Sequence, residues 1–179
     1  FRRVLFRSLI RDDNATLRLL TILGRVFGGA VDEESVTPKG LPQPVELKVS
    51  QSSRTVEVFI GGKFFTSYLY PSDLEKPVLF PLLTAAGTPV TRGYPLAPRA
   101  GERVDHPHHV GMWFNFGDVN GLDFWNNSYA IPDKDRLHYG RVVHQEIIAA
   151  SGGSREGLLS VRCDWMDSKG QVQIGRAHV

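Results

Sequence analysis

The chain has 179 residues, of which 41% are hydrophobic and 22% charged, with 21 Lys and Arg against 19 Asp and Glu. This length supports one domain with a hydrophobic core, and the single cysteine, Cys163, excludes an intramolecular disulfide. No apolar run approaches the roughly 20 residues that a membrane-spanning helix needs, and no basic run supports binding to nucleic acid or an anionic membrane.

The two ends of the chain are predicted to be foreign to the gene. Residues 1–8 (FRRVLFRS) and 174–179 (IGRAHV) can be encoded by a short sequencing adapter and by the reverse complement of part of it. We therefore expect a bacterial metagenomic fragment, natural over residues 9–173 and truncated at one or both ends. The foreign ends contain four arginines and no acid, so 21 minus 4 leaves 17 basic against 19 acidic residues.

Residues 9–44 are predicted to form an N-terminal segment and linker. Within them, residues 17–30 contain an apolar run followed by small residues, which weakly resembles a secretory signal. Arg25 interrupts this run, and Asp12 and Asp13 replace the basic start that a signal requires. The compartment is therefore left open between cytoplasm and periplasm.

Residues 45–173 are predicted to form an all-β domain, an antiparallel β-sandwich truncated at its C-terminus, with few or no helices in its core. Short alternating runs separated by Gly- and Pro-containing turns are typical of this fold class. The predicted strands are residues 45–50, 55–60, 63–70, 78–83, 90–94, 139–150 and 158–166. Loops are predicted over residues 95–104 and 128–138.

Residues 105–127 (DHPHHVGMWFNFGDVNGLDFWNN) contain three of the six histidines and two of the three tryptophans. Alternation from His109 to Phe116 predicts a strand, Asn120 and Gly121 predict a turn, and a second strand follows. The apolar face of this hairpin would consist of Val110, Met112, Phe114, Phe116, Leu122 and Phe124. The opposite face would carry His109, Trp113, Asn115, Asp123, Trp125 and Asn127.

The polar-aromatic face suits a carbohydrate, because flat rings contact sugar C–H groups while amides and carboxylates bind hydroxyls. Trp113 and Trp125 would serve as stacking platforms, and Arg92 offers a planar donor fork for an oxyanion. The candidate substrate-binding residues are Arg92, Trp113, Asn115, Asp123, Trp125 and Asn127. The alternative interpretation is the half-buried outer face of an ordinary sandwich strand.

Three uses remain open for His106, His108 and His109, the candidate catalytic residues. One could act as a general acid or base, because imidazole titrates near neutral pH. No cofactor is predicted, but His106 and His108 could alternatively bind a divalent metal with Asp105 or Asp118. The histidines could also be structural, hydrogen-bonded to loop carbonyls.

The chain resembles a bacterial family catalogued as "methane oxygenase PmoA" over residues 45–173. The resemblance is most specific at residues 91–95 (TRGYP), 105–111 (DHPHHVG) and 117–125 (GDVNGLDFW). The family's name implies a subunit of a membrane methane monooxygenase, which would need several spanning helices. The sequence predicts none, so we interpret the name as a label and not as an activity.

This family also resembles, more distantly, sandwiches of the galactose-mutarotase type. That resemblance implies a sugar site on a concave sheet face that includes His109, Trp113 and Asn115, with a histidine acid paired to a glutamate base. No residue here matches the glutamate, which is expected in a missing C-terminal part of the chain. Glu102 and Glu146 are poor substitutes.

Three functions follow as hypotheses. The first is a carbohydrate-acting protein of the isomerase, lyase or hydrolase class in bacterial sugar catabolism. The second is a metal-dependent oxidoreductase that uses the DHPHH cluster, and the third is a non-catalytic module that binds sugar or another partner. The expected partners are a small carbohydrate and the missing part of the same chain.

Overall fold

The structure, a computed structural model, describes residues 43–174 and the backbone of residues 4–5 and 21–23. The predicted foreign ends, the linker and the signal-like residues therefore lie largely outside the described residues. In the described part the regular secondary structure is almost entirely β, with one short 3-10 helix at Asp133–His138. No helix there is long and apolar enough to cross a membrane.

The described strands form two antiparallel sheets. Their bounds are β1 (Val4–Leu5), β2 (Thr21–Leu23), β3 (Val45–Ser50), β4 (Thr55–Ile60), β5 (Lys63–Leu69), β6 (Val78–Leu79), β7 (Arg141–Ser151), β8 (Glu156–Met166) and β9 (Val172–Ile174). One sheet has the order β3-β4-β5-β6. In the other, β8 pairs with β7 on one side and with β2 and β9 on the other, and β1 pairs with β2.

The core lies between the two sheets and follows the alternation of the strands. Val56, Val58 and Ile60 of β4 are at most 2% exposed, while the residues between them are not buried. On the facing sheet, inward-pointing side chains of β8, including Val161 and Cys163, belong to the same apolar cluster. Burial of each such side chain stabilises the fold by about 1.5–3 kcal/mol. The predicted all-β sandwich is therefore confirmed, with Cys163 as a core residue.

Two predicted strands are shorter than expected or are not formed. The predicted strand over residues 78–83 is reduced to the two residues of β6, and residues 90–94 are not a strand. Pro81 and Pro89 lie in or beside these runs, and proline cannot donate a ladder hydrogen bond. The predicted loop at 128–138 contains the 3-10 helix.

The predicted hairpin of residues 105–127, here called the site segment, is wrong as regular β-structure. Its backbone forms only the isolated bridges Leu79↔Met112, Val119↔Leu122 and Asp123↔Tyr139. The predicted turn is present, with Asn120 at φ 55° and Gly121 at φ 80°. The alternation from His109 fails because Gly111, within that run, is also left-handed, which turns the chain out of an extended path.

Gly111 has φ 58°, and His106, in the turn before the predicted strand, is also left-handed with φ 49°. At Gly111 an added Cβ would lie 2.5 Å from the Leu79 carbonyl oxygen, so both the conformation and the close approach require glycine. The predicted apolar face is correspondingly divided. Val110 is buried, whereas Phe114 and Phe116 are 43% and 63% exposed.

Phe124 anchors the site segment to the sandwich. It is 1% exposed, and its ring centroid lies 4.8 Å from that of Trp165 on β8. The ring also covers Gly140, where any Cβ would collide with it. A buried phenylalanine with these contacts holds a segment that has few backbone hydrogen bonds of its own.

Replacing Phe124 with alanine is expected to lower the free energy of unfolding by about 3–5 kcal/mol, since it leaves a cavity against Trp165. Phe116→Ala removes the same side chain from an exposed position and should change stability by at most about 0.5 kcal/mol. Urea denaturation of both variants measures the difference. Equal effects would show that Phe124 does not anchor the segment.

Candidate functional site

Five aromatic and imidazole rings of the site segment gather on one surface. We call them the histidine–tryptophan cluster: His106, His108, His109, Trp113 and Trp125. The centroids of Trp113 and Trp125 are 5.4 Å apart, and that of His109 lies 5.7 Å from Trp113 and 6.4 Å from Trp125. Trp125 is 42% exposed and the cluster opens to solvent on its side. These predicted residues are brought together by loop packing and not by strand alternation.

Lys76 lies beneath the cluster and was not predicted from the sequence. It is only 3% exposed; its Nζ donates a hydrogen bond of 2.7 Å to the Trp125 carbonyl and lies 5.2 Å from the Trp113 ring centroid. Burial lowers its pKa to about 8, while Asp123 and Glu75 act in the opposite direction. A buried lysine with a perturbed pKa is a candidate functional residue.

The sequence signal for Lys76 is weak. It consists of one charged pair, Glu75 and Lys76, before Pro77 and the apolar β6. Such a pair next to a strand is usually solvated. Only the path of the site segment over Lys76 shows that this side chain is enclosed.

Two of the three histidines are held neutral near neutral pH. Burial lowers the pKa of His108 to about 4, and nearby His109 and Lys76 add to the effect. The pKa of His109 is also lowered, by burial first and then by His106 and Arg92. A neutral imidazole accepts a hydrogen bond at one nitrogen and donates at the other. His109 is therefore suited to act as a base or a hydrogen-bond partner.

Arg92 is already engaged by its own protein. Its Nη2 donates hydrogen bonds of 2.7 Å to the carbonyl oxygens of Arg103 and Asp105. Its Nη1 lies 3.5 Å from the Asp105 carboxylate, which also lies 3.2 Å from Nδ1 of His106. The predicted donor fork therefore fixes the loop that leads into the cluster.

Asn115 and Asn127 also support the segment from within. Asn115 Nδ2 donates to the Phe124 carbonyl at 2.7 Å. Asn127 is 3% exposed, and its Nδ2 donates to the Gly140 carbonyl at 2.8 Å. We expected His109, Trp113 and Asn115 on one sheet face, but Asn115 and Asn127 instead hold the backbone around Phe124.

Asp118 and Asp123 of the site segment both accept hydrogen bonds within it, but only Asp123 lies beside the cluster. Asp118 Oδ1 accepts the Gly121 amide at 2.9 Å and so closes the predicted turn. The Asp123 carboxylate accepts both the backbone amide and the side-chain amide of Asn126. The Asp123 carboxylate also raises the pKa of Lys76 and of His108, against the larger effect of burial, because it lies beside the cluster.

The predicted alternative metal set of His106, His108 and Asp105 does not converge. The rings of His106 and His108 are in edge-to-face contact, with centroids 5.6 Å apart, and Nδ1 of His106 lies 3.2 Å from the Asp105 carboxylate. Within residues 43–174 no group of three His, Cys, Asp or Glu side chains is placed to hold a metal ion.

The fold and this cluster define the class of protein: an antiparallel β-sandwich that presents an aromatic and histidine-rich surface on an irregular segment. Residues 55–175 match DUF6807, a family of unknown function, and the chain belongs to that family. No curated protein and no solved structure matches the chain.

The buried charge of Lys76 predicts a specific pH dependence of stability. Its pKa is about 8 when folded and about 10.5 when unfolded, so between these values the unfolded state binds more protons. Stability should therefore rise with pH across this window, by about 3 kcal/mol at most for this one group. Below pH 8 the full destabilising effect of the buried charge is present.

Lys76→Met keeps the length of the side chain and removes the charge. We expect urea denaturation at pH 7.5, 8.5 and 9.5 to show a smaller rise in stability for this variant than for the wild type. Lys134→Met in the 3-10 helix is the control, because Lys134 is exposed. Parallel curves for wild type and Lys76→Met would contradict the burial of a charged lysine.

Proposed function

We propose that the histidine–tryptophan cluster binds a carbohydrate. The observation that carries this proposal is the pair of indole rings 5.4 Å apart, with Trp125 42% exposed, beside half-buried imidazoles. Aromatic rings with one accessible side and polar groups at their rim suit the C–H faces and hydroxyls of a sugar.

In this proposal each member of the cluster has a distinct role. Trp125 provides the exposed stacking surface, and Trp113 supports it from below. His108 and His109, both neutral, supply hydrogen bonds to hydroxyls, and Asp123 adds an acceptor. Lys76 positions the platform, because its ammonium group is bonded to the Trp125 backbone. Arg92, Asn115 and Asn127 act only through the loops they hold.

The proposal extends to processing of the sugar through the resemblance to PmoA-like proteins and, more distantly, to mutarotase-type sandwiches. His109 would then act as the base, in keeping with its lowered pKa. Glu102 is not its partner, because its carboxylate accepts the Gly93 amide and pairs with Arg99. Glu146 of β7 pairs with Arg162 of β8. Binding of a carbohydrate without catalysis is the simpler form of the proposal.

The binding proposal is tested by tryptophan fluorescence titrated with a panel of neutral and acidic monosaccharides. At least one sugar should give a saturable change. Trp125→Ala should weaken its binding at least about tenfold, which corresponds to about 1.4 kcal/mol of lost stacking. Phe116→Ala, which removes an exposed aromatic ring outside the cluster, should leave affinity unchanged. A panel without any saturable response, or a Trp125→Ala variant that binds normally, refutes the proposal.

Processing is tested with the best-bound aldose, by following the interconversion of its anomers with proton NMR. Accelerated interconversion that falls about 10²-fold or more in His109→Ala, with binding retained, would support a base at this position. Phe116→Ala again serves as the control. If His109→Ala keeps the full rate, His109 has no part in the chemistry.

A further inference from the structure

A polar cleft lies between the β3–β4 turn and the middle of β7. Its volume is about 430 Å³, and its lining includes Gln51, Arg54, Tyr70, His144, Gln145 and Glu146. None of these residues belongs to the histidine–tryptophan cluster. The volume is in the range of small-molecule sites, which span about 300–1,000 Å³.

His144 in this cleft is hydrogen-bonded from inside the core. The hydroxyl of Tyr68 lies 3.0 Å from His144 Nδ1 and 3.7 Å from Cys163 Sγ. Tyr68 and Cys163 are both 2% exposed. Burial raises the pKa of the Tyr68 phenol far above its usual value and that of the Cys163 thiol to about 11, so both keep their protons.

The direction of these hydrogen bonds follows from the strength of the groups. A phenol is a good donor and an imidazole nitrogen a good acceptor, whereas sulfur is weak in both roles. We therefore assign the Tyr68 hydroxyl as the donor to Nδ1 of His144. Burial lowers the pKa of His144 to about 4, so the ring is neutral. Its remaining hydrogen is then on Nε2, which the core contacts do not use.

The charges of the cleft leave one cation uncompensated. The Glu146 carboxylate accepts a hydrogen bond of 2.9 Å from Arg162 Nε and is neutralised by it. The Arg54 guanidinium lies over the Tyr70 ring, 5.7 Å from its centroid, and forms no ion pair within residues 43–174. Tyr70 is 5% exposed, and its buried hydroxyl has no hydrogen-bond partner in the same residues. Buried polar groups nearly always have one.

We propose that this cleft is a binding site for a small oxyanion, held by the Arg54 guanidinium and by the Nε2–H group of His144. The planar guanidinium fork matches the oxygen atoms of a carboxylate or phosphate. The imidazole adds a neutral donor whose orientation is set by Tyr68. Gln51 and Gln145 offer further amide donors at the rim.

The site is independent of carbohydrate binding, because the two sets of residues do not overlap. Either proposal can fail without the other. Tyr68 is a positioning residue here, since it acts on the anion only through His144.

NMR of the ¹⁵N-labelled chain tests the site directly, by following the imidazole signals of His144 and the guanidinium signal of Arg54. Titrations with inorganic phosphate and with succinate, up to tens of millimolar at constant ionic strength, should give saturable shifts with at least one anion. A response to only one of them identifies the class of oxyanion. Arg54→Gln should raise the half-saturation concentration at least about tenfold. Arg155→Gln, in the exposed β7–β8 turn, is the matched control.

Tyr68→Phe tests the positioning role, because it removes the hydroxyl and keeps the ring. The ¹⁵N signals of His144 should shift from the Nε2–H form towards a mixture of tautomers, and anion binding should weaken. A purely structural role for Tyr68 would leave the tautomer unchanged. The proposal is overturned if neither anion gives a saturable shift in the wild type, or if Arg54→Gln binds as the wild type does; these two results do not depend on the folding of Tyr68→Phe.

Discussion

The burial of Phe124 between Trp165 and Gly140 is the contact on which the candidate site depends. Residues 105–127 have only isolated bridges to the rest of the chain, so regular hydrogen-bond ladders do not hold them. The Phe124 ring packed on β8, with Asn115 and Asn127 bonded to the backbone around it, replaces those ladders, and the Phe114 ring adds an edge contact to Trp165. Because Phe124 attaches the segment to the core, the tryptophans can lie on its solvent-facing side.

A buried cation beneath aromatic rings is the second constraint. Lys76 loses hydration when the site segment covers it, and the Trp125 carbonyl with the face of Trp113 offsets only part of that loss. Its positive charge also lowers the pKa of His108 and of His109. The same side chain therefore positions the platform and adds to the burial that lowers the pKa of His108 and His109, which links the shape of the surface to its chemistry.

Both polar sites on this sandwich use the same arrangement. Each has an imidazole that is kept neutral by burial, and each lies beside a cation: Lys76 at the cluster and Arg54 at the cleft. The core supplies rigidity through β4, β5 and β8. The polar groups of the cluster come from irregular segments, whereas the cleft combines Arg54 of the β3–β4 turn with His144 of β7. Placing functional side chains on loops over a rigid scaffold is common in β-sandwiches.

Alternation of apolar residues, a property of neighbouring positions, was enough to locate β3, β4, β5, β7 and β8 and to give the antiparallel sandwich. The concentration of histidine and tryptophan in residues 105–127 also identified Trp113, Trp125 and His109 as candidates. Local pattern failed in the site segment, because the left-handed Gly111 breaks the period of two on which it relies. The lysine beneath the tryptophans was invisible to it, since Lys76 and Trp125 are 49 residues apart and only packing brings them within 2.7 Å. The roles of Arg92, Asn115 and Asn127 were decided in the same way, because a hydrogen bond to a backbone carbonyl leaves no trace in composition.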